Sequence, residues 1–148
     1  MIKGNLENYR DLFDKLKYEL ELLEKEVTSY NFFNFAVTGH HLIDWITNSD
    51  NADEEIKKQV KELSKDELLS VCQDVCNFYK HFKITRYTPK VKDIESKTGY
   101  GCGRSDKGVY GVGEESIYVI TKTGQKYDGL ELARNVYKKW EAFFNLKS

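Results

Sequence analysis

Apolar residues recur at three- and four-residue steps through most of this chain, and that spacing predicts helices. Leu6, Tyr9, Leu12, Phe13, Leu16, Leu20 and Leu23 form the first such stripe and predict a helix over Asn5–Val27. Its other face carries Glu7, Arg10, Asp14, Lys17, Glu21 and Lys25. Opposite charges at helical spacing, Asp14 with Lys17 and Glu21 with Lys25, mark that face as solvated. The next segment, Ser29–Thr47 (SYNFFNFAVTGHHLIDWIT), is apolar almost all the way round, as expected of a central, buried helix. Thr28 or Ser29 supplies a short hydroxyl to cap it. The rest of the chain reads as a cover for this helix.

Asn48–Asp53 (NSDNAD) is a turn signal, and Asp53 is placed to cap a short charged helix, Glu54–Leu63. Ser64 with Glu67 has capping-box spacing for a third main helix, Lys65–Phe82. Leu68, Val71, Cys72, Val75, Tyr79 and Phe82 make its apolar face, widened by Cys76 and Phe78. The helical period disappears from Thr85, and Pro89 marks the break. Six glycines among the fifteen residues from Gly99 to Gly113 predict a loop, leading into a short strand around Val109–Val112. Ser116–Thr121 (SIYVIT) reads as a strand, Thr123-Gly124 as its turn and Gln125–Tyr127 as the return strand. Asp128 or Gly129 starts the last helix, with Leu130, Ala133, Val136, Tyr137, Trp140, Phe143 and Phe144 at helical steps. The pattern predicts a mainly α fold. It is a four-helix bundle with one short extra helix and a small β-hairpin before the last helix. Residues 1–148 form one domain, with an irregular region at about 88–128.

Composition sharpens this in few places. Lys plus Arg number 23 and Asp plus Glu 24, so no general attraction to nucleic acid or to an anionic membrane follows from net charge. Aromatic residues reach 14%, which suits either a dense small core or a surface that stacks on a flat ligand or partner. No apolar run approaches the roughly 20 residues that span a bilayer, and the first residues lack a signal-peptide core. Three cysteines are too few for a disulfide framework and point to a reducing compartment, so a cytoplasmic location is expected.

Three constellations offer chemistry. In His40–Trp45 (HHLIDW), four-residue steps stack His40 with Asp44 and His41 with Trp45. A carboxylate one turn from an imidazole fixes its tautomer and suits general-base work, which makes His40 and Asp44 catalytic candidates. The same pairing also serves a core histidine that simply needs a partner. In the third main helix Asp74, Asn77 and His81 share a stripe opposite Leu68, Cys72 and Tyr79, with Lys80 beside it. That stripe is either solvated surface or an anion site. If it faces the second helix, His40, His41, Asp44, Asn77, Lys80 and His81 meet in one pocket, and His81 becomes a further catalytic candidate. The Gly-rich loop, with Lys97, Arg104 and Lys107, could bring backbone N–H groups to a phosphate, although neither a P-loop nor a dinucleotide fingerprint is present. No CxxC or HxxxH pair occurs, so no metal and no cofactor are expected.

Two of these segments, NFFNFAVTGHHLIDWI and DVCNFYKHF, resemble small bacterial proteins of the HEPN-like group. HEPN-like domains are helical bundles of toxins, RNases and anti-phage systems. The resemblance implies a bundle, dimerisation and a setting in bacteria–phage conflict. RNase members carry an arginine, then four to six residues, then a histidine; no arginine stands at that distance before His40, His41 or His81. The resemblance therefore lends no catalytic residue.

The leading expectation is a helical protein that binds a nucleotide-like or other anionic small molecule. His41, Trp45, Asn77, Lys80, His81 and Arg104 would contact that ligand. One alternative is a metal-independent RNase with His40 or His81 as base and Lys80 stabilising the phosphorane. The other is an interaction module, a homodimer through the aromatic faces of the first and last helices.

Overall fold

The computed structural model describes residues 6–80, 87–98 and 115–145. They form five helices and three strands: α1 (Tyr9–Lys25), α2 (Ser29–Thr47), α3 (Glu54–Leu63), α4 (Glu67–Lys80), β1 (Val91–Thr98), β2 (Glu115–Thr121), β3 (Lys126–Asp128) and α5 (Gly129–Asn145). The fold is mainly helical with a small antiparallel sheet.

Helix α2 lies at the centre, against α1, α3, α4 and α5. Its residues Phe32, Phe35, Ala36, Gly39, Leu42 and Ile46 are buried. Their three- and four-residue steps put them on one broad face, while Tyr30, Asn34, His41 and Asp44 are exposed, so the helix is central but not buried all round as its apolar pattern suggested. Local chemistry sets its start: Thr28 accepts a hydrogen bond from the Asn31 N–H at 3.1 Å. Asp53 caps α3 in the same way through Ile56 N–H, at 2.8 Å.

Helix α1 begins later than its apolar stripe suggests, at a capping box. The Asn8 side chain accepts from Asp11 N–H, while the Asp11 carboxylate accepts from Asn8 N–H. The expected capping box at Ser64 is not formed. Ser64 instead ends α3, its hydroxyl donating to Lys61 O at 2.6 Å. Asp66 starts α4, accepting from Leu68 N–H at 2.8 Å. A carboxylate at that position does what the hydroxyl was expected to do. Burial works against ionisation of Asp66, but Lys139 and the Leu68 N–H hold its carboxyl below the usual range.

Helices α2 and α4 run antiparallel. The Cys72 thiol meets Ala36 O at 3.4 Å, and the Phe33 and Tyr79 rings lie 5.0 Å apart. Burial pushes the Cys72 thiol up, well beyond its ordinary value, so it stays protonated as a core residue. Trp140 of α5 is fully buried and donates from Nε1 to Gly39 O at 3.2 Å.

The expected hairpin is part of a three-stranded antiparallel sheet in the order β1-β2-β3. Strand β1 falls in the region expected to be irregular. It pairs with β2 along its length, from Val91↔Thr121 to Thr98↔Glu115, with a bulge between Val91 and Asp93. The expected strand around Val109–Val112 lies outside the described residues. Val91, Ile117 and Val119 are buried and join the helical core. The β2–β3 turn needs Gly124, whose φ of 88° is open to glycine at little cost. Asp128 then starts α5 by accepting from Glu131 N–H at 3.0 Å.

The polar stripe of α4 is not a solvated face. Asp74 is buried, with 2% of its surface exposed. Its carboxylate accepts from Lys90 N–H at 2.7 Å, Val91 N–H at 3.0 Å and the Tyr87 hydroxyl at 2.8 Å. It thereby fastens the start of β1 to α4. Helix α4 is covered on two sides, by α2 and by the sheet, so the face opposite its apolar stripe is also interior.

Candidate functional site

A ligand-sized concavity among the described residues is a groove of about 490 Å³ where the start of α1 meets the end of α2. Both walls are set by local hydrogen bonds. On the α1 side, Asp11 accepts from Glu7 N–H at 2.9 Å as well as from Asn8 N–H, which fixes the chain ahead of Tyr9. On the α2 side, Asn48 ends the helix. Its side chain donates to Asp44 Oδ1 at 2.8 Å and to Asp44 O at 3.0 Å. Ser49 accepts from Asn51 N–H at 3.1 Å and rounds the turn.

The lining combines two aromatic residues with carboxylates and amides. Trp45 is half-buried and packs against the core, and the buried Tyr9 also lines the groove. Glu7, Asp44 and Asp50 supply carboxylates; Asn8, Asn48 and Asn51 supply amides. Among the described residues no lysine or arginine lines the groove. Arg10, the basic residue nearest in sequence, lies over the Tyr9 and Phe144 rings, 5.9 Å from each centroid. A groove of this size with an aromatic wall and several polar groups can hold a small polar molecule.

The structure separates the candidates that the sequence could have gathered. Asp44 and Trp45 line the groove. The Asp44 carboxylate is met by Asn48 and not by His40. His40 is half-buried and His41 exposed, their ring centroids 6.1 Å apart. Asn77 lies elsewhere, its amide donating to the Tyr87 hydroxyl at 2.9 Å. Because Tyr79 stands level with Phe33 in antiparallel helices, Asn77 is roughly 14 Å along the axis from Asp44. The Asp74–Tyr87–Asn77 cluster is interior and structural. Burial raises the Tyr87 hydroxyl to about 12, the Asn77 amide working against this and the Asp74 carboxylate adding to it. Lys80 is the last residue of α4; His81 and Arg104 lie outside the described residues.

Glu7, Asn8, Tyr9 and Asp50 were not singled out from the sequence as site residues. Asn8 and Asp11 have capping spacing, and Asp50 stands in a recognisable turn, but neither signal says that the two segments meet. Among the described residues no group of three or more His, Cys, Asp or Glu side chains is arranged to hold a metal ion. No described helix is long and apolar enough to cross a membrane. No family model, curated protein or solved structure matches the chain.

Proposed function

We propose that this chain is a small-ligand-binding helical protein and that its binding site is the groove between the start of α1 and the end of α2. One observation carries the reading: a concavity of about 490 Å³ sets Trp45 and Tyr9 among three carboxylates and three asparagine amides. The aromatic rings offer a face for the ligand's apolar part, and the polar groups offer direction. The groove favours binding over the RNase reading, because it holds no histidine and no cation to stabilise a phosphorane. It also argues against an anionic, nucleotide-like ligand at this place, since carboxylates repel phosphate. The resemblance to HEPN-like bundles adds a setting in bacteria–phage conflict to the proposal, without adding a site residue.

The homodimer reading has less support. The aromatic faces of α1 and α5 are spent on each other: Phe13 and Phe144 centroids lie 4.3 Å apart, and Phe13 and Tyr137 5.5 Å.

The test is amide and indole chemical-shift mapping of the full chain against a panel of amines, neutral saccharides and nucleotides. A ligand of this groove shifts the Trp45 indole N–H and the Asn8, Asn48 and Asn51 side-chain amides together. A panel that leaves these signals unmoved refutes the reading. RNA cleavage by the native chain that is lost in folded His40→Ala or His81→Ala would establish the nuclease in its place.

A further inference from the structure

We infer that the groove selects an organic cation: a ligand whose ammonium or guanidinium group sits among Glu7, Asp44 and Asp50 while its carbon skeleton lies on Trp45. This rests on the groove being the binding site and adds the chemical class of its occupant. Three independent features lead there.

The first is charge. Among the described residues neither the Glu7 nor the Asp50 carboxylate takes part in a hydrogen bond or ion pair, and Asp44 is met by a neutral amide. Negative groups sharing a concave surface focus a potential that draws in a cation. Asp66 and Glu24, by comparison, meet counter-charges, Lys139 at 2.8 Å and Arg134 at 3.1 Å. Arg10, next in sequence to Tyr9, does not line the groove; its guanidinium lies over the Tyr9 and Phe144 rings.

The second is the wall. Trp45 is half-buried, and no hydrogen bond engages its indole N–H among the described residues. Indole is the aromatic ring that binds cations best. The Lys126 ammonium 4.2 Å above the Tyr118 ring shows the same chemistry at work on the sheet. The third is size. About 490 Å³ is far more than a bare metal ion fills, and the described side chains form no metal-holding group. Carboxylates without metal geometry, spread around an aromatic surface, fit an organic cation instead.

A neutral polyhydroxylated ligand is the competing occupant, because the asparagine amides and Trp45 would suit it too. The experiment separates the two. Trp140 is fully buried, so fluorescence changes on ligand addition report from Trp45. The full chain is titrated with spermidine, maltotriose and AMP, each in low salt and in 0.5 M salt, a range over which the screening length falls from about 10 Å or more towards about 4 Å. The expected result is a saturable response to spermidine that weakens in high salt. In the Asp44→Asn/Asp50→Asn double variant, spermidine affinity falls about tenfold, through loss of charge attraction at the aromatic wall. Both substitutions lie at exposed or turn positions and keep side-chain shape, and an unchanged melting temperature confirms folding. Saturation by maltotriose with no response to spermidine overturns the cation while leaving the groove as the site. Spermidine affinity unchanged in the double variant also overturns it. No response from Trp45 to any probe overturns both the inference and the binding reading beneath it.

Discussion

Gly39 shows how one residue can decide an intersection of helices. A Cβ there would lie 3.2 Å from the Cys72 Sγ and 3.7 Å from Leu16 and Val136, so α1, α4 and α5 all approach α2 at this point. Its carbonyl also receives the Trp140 indole. The crowding is moderate, and alanine regains about 1 kcal/mol of helix propensity. Overpacking costs typically about 1–3 kcal/mol. Gly39→Ala is therefore expected to lower stability by a net amount of about 1 kcal/mol, read as a lower urea midpoint with unchanged slope. Another residue, Glu19, is buried with Lys15 on one carboxylate oxygen. Lys15 also donates to Thr38 at 2.8 Å, joining α1 to α2 by a polar link inside an otherwise apolar contact.

At the scale of elements, the sheet is held to the helices by apolar contact and by one carboxylate. Ile117 and Val119 face the core, and Asp74 grips the first residues of β1. Removing that carboxylate strands two backbone N–H groups and a tyrosine hydroxyl. Each buried unsatisfied group costs about 1–3 kcal/mol. Of the three only Val91 is fully buried, while Lys90 is exposed and Tyr87 keeps its bond from Asn77, so Asp74→Ala should cost about 2–4 kcal/mol by denaturant unfolding, with the largest loss of amide-exchange protection in β1. Tyr87 gives the same junction a pH dependence. Its hydroxyl stands at about 12 in the folded chain against an ordinary value of 10.0. The folded state therefore keeps a proton that the unfolded chain releases. The stabilisation is complete below pH 10 and is lost as pH rises through about 12. Stability measured across that interval should fall more steeply in the native chain than in Tyr87→Phe.

Across the whole molecule, one continuous set of buried residues runs from α1 through all five helices into the sheet, from Leu12 and Val60 to Val91 and Val119. No helix has a core of its own to fall back on. Unfolding is expected in a single step, so that far-ultraviolet circular dichroism, Trp140 fluorescence and loss of sheet protection share one midpoint. Separate midpoints for sheet and helices would show that the junction at Asp74 divides two cooperative units. The groove belongs to this scale as well, since its walls come from α1 and α2 and depend on the α1–α2 contact, where Lys15 meets Thr38 and Leu16 lies beside Gly39.

Periodicity and capping chemistry were enough to place α2 at Ser29–Thr47, α3 behind Asp53, and the turn at Thr123-Gly124. These are decided within a few residues by side-chain spacing and by hydroxyl or carboxylate caps. Asp44 and Trp45 were singled out because polar and aromatic groups stood out in an apolar helix, and both line the groove. What lay between distant segments was not legible. Strand β1 (VKDIESKT) is rich in charge, and only pairing with β2, some twenty residues on, makes it a strand. Asp74 reads as surface on α4 because helical period assumes one buried face, whereas the sheet covers a second. The meeting of His40 with Asn77 depended on the relative register of α2 and α4, which no local rule contains. Glu7 and Tyr9 acquire their place beside Trp45 in the same way. Local propensity and hydrophobic period determined the helices of this protein; the antiparallel approach of α2 to α4 and of α1 to α2 decided which of its polar residues line one groove.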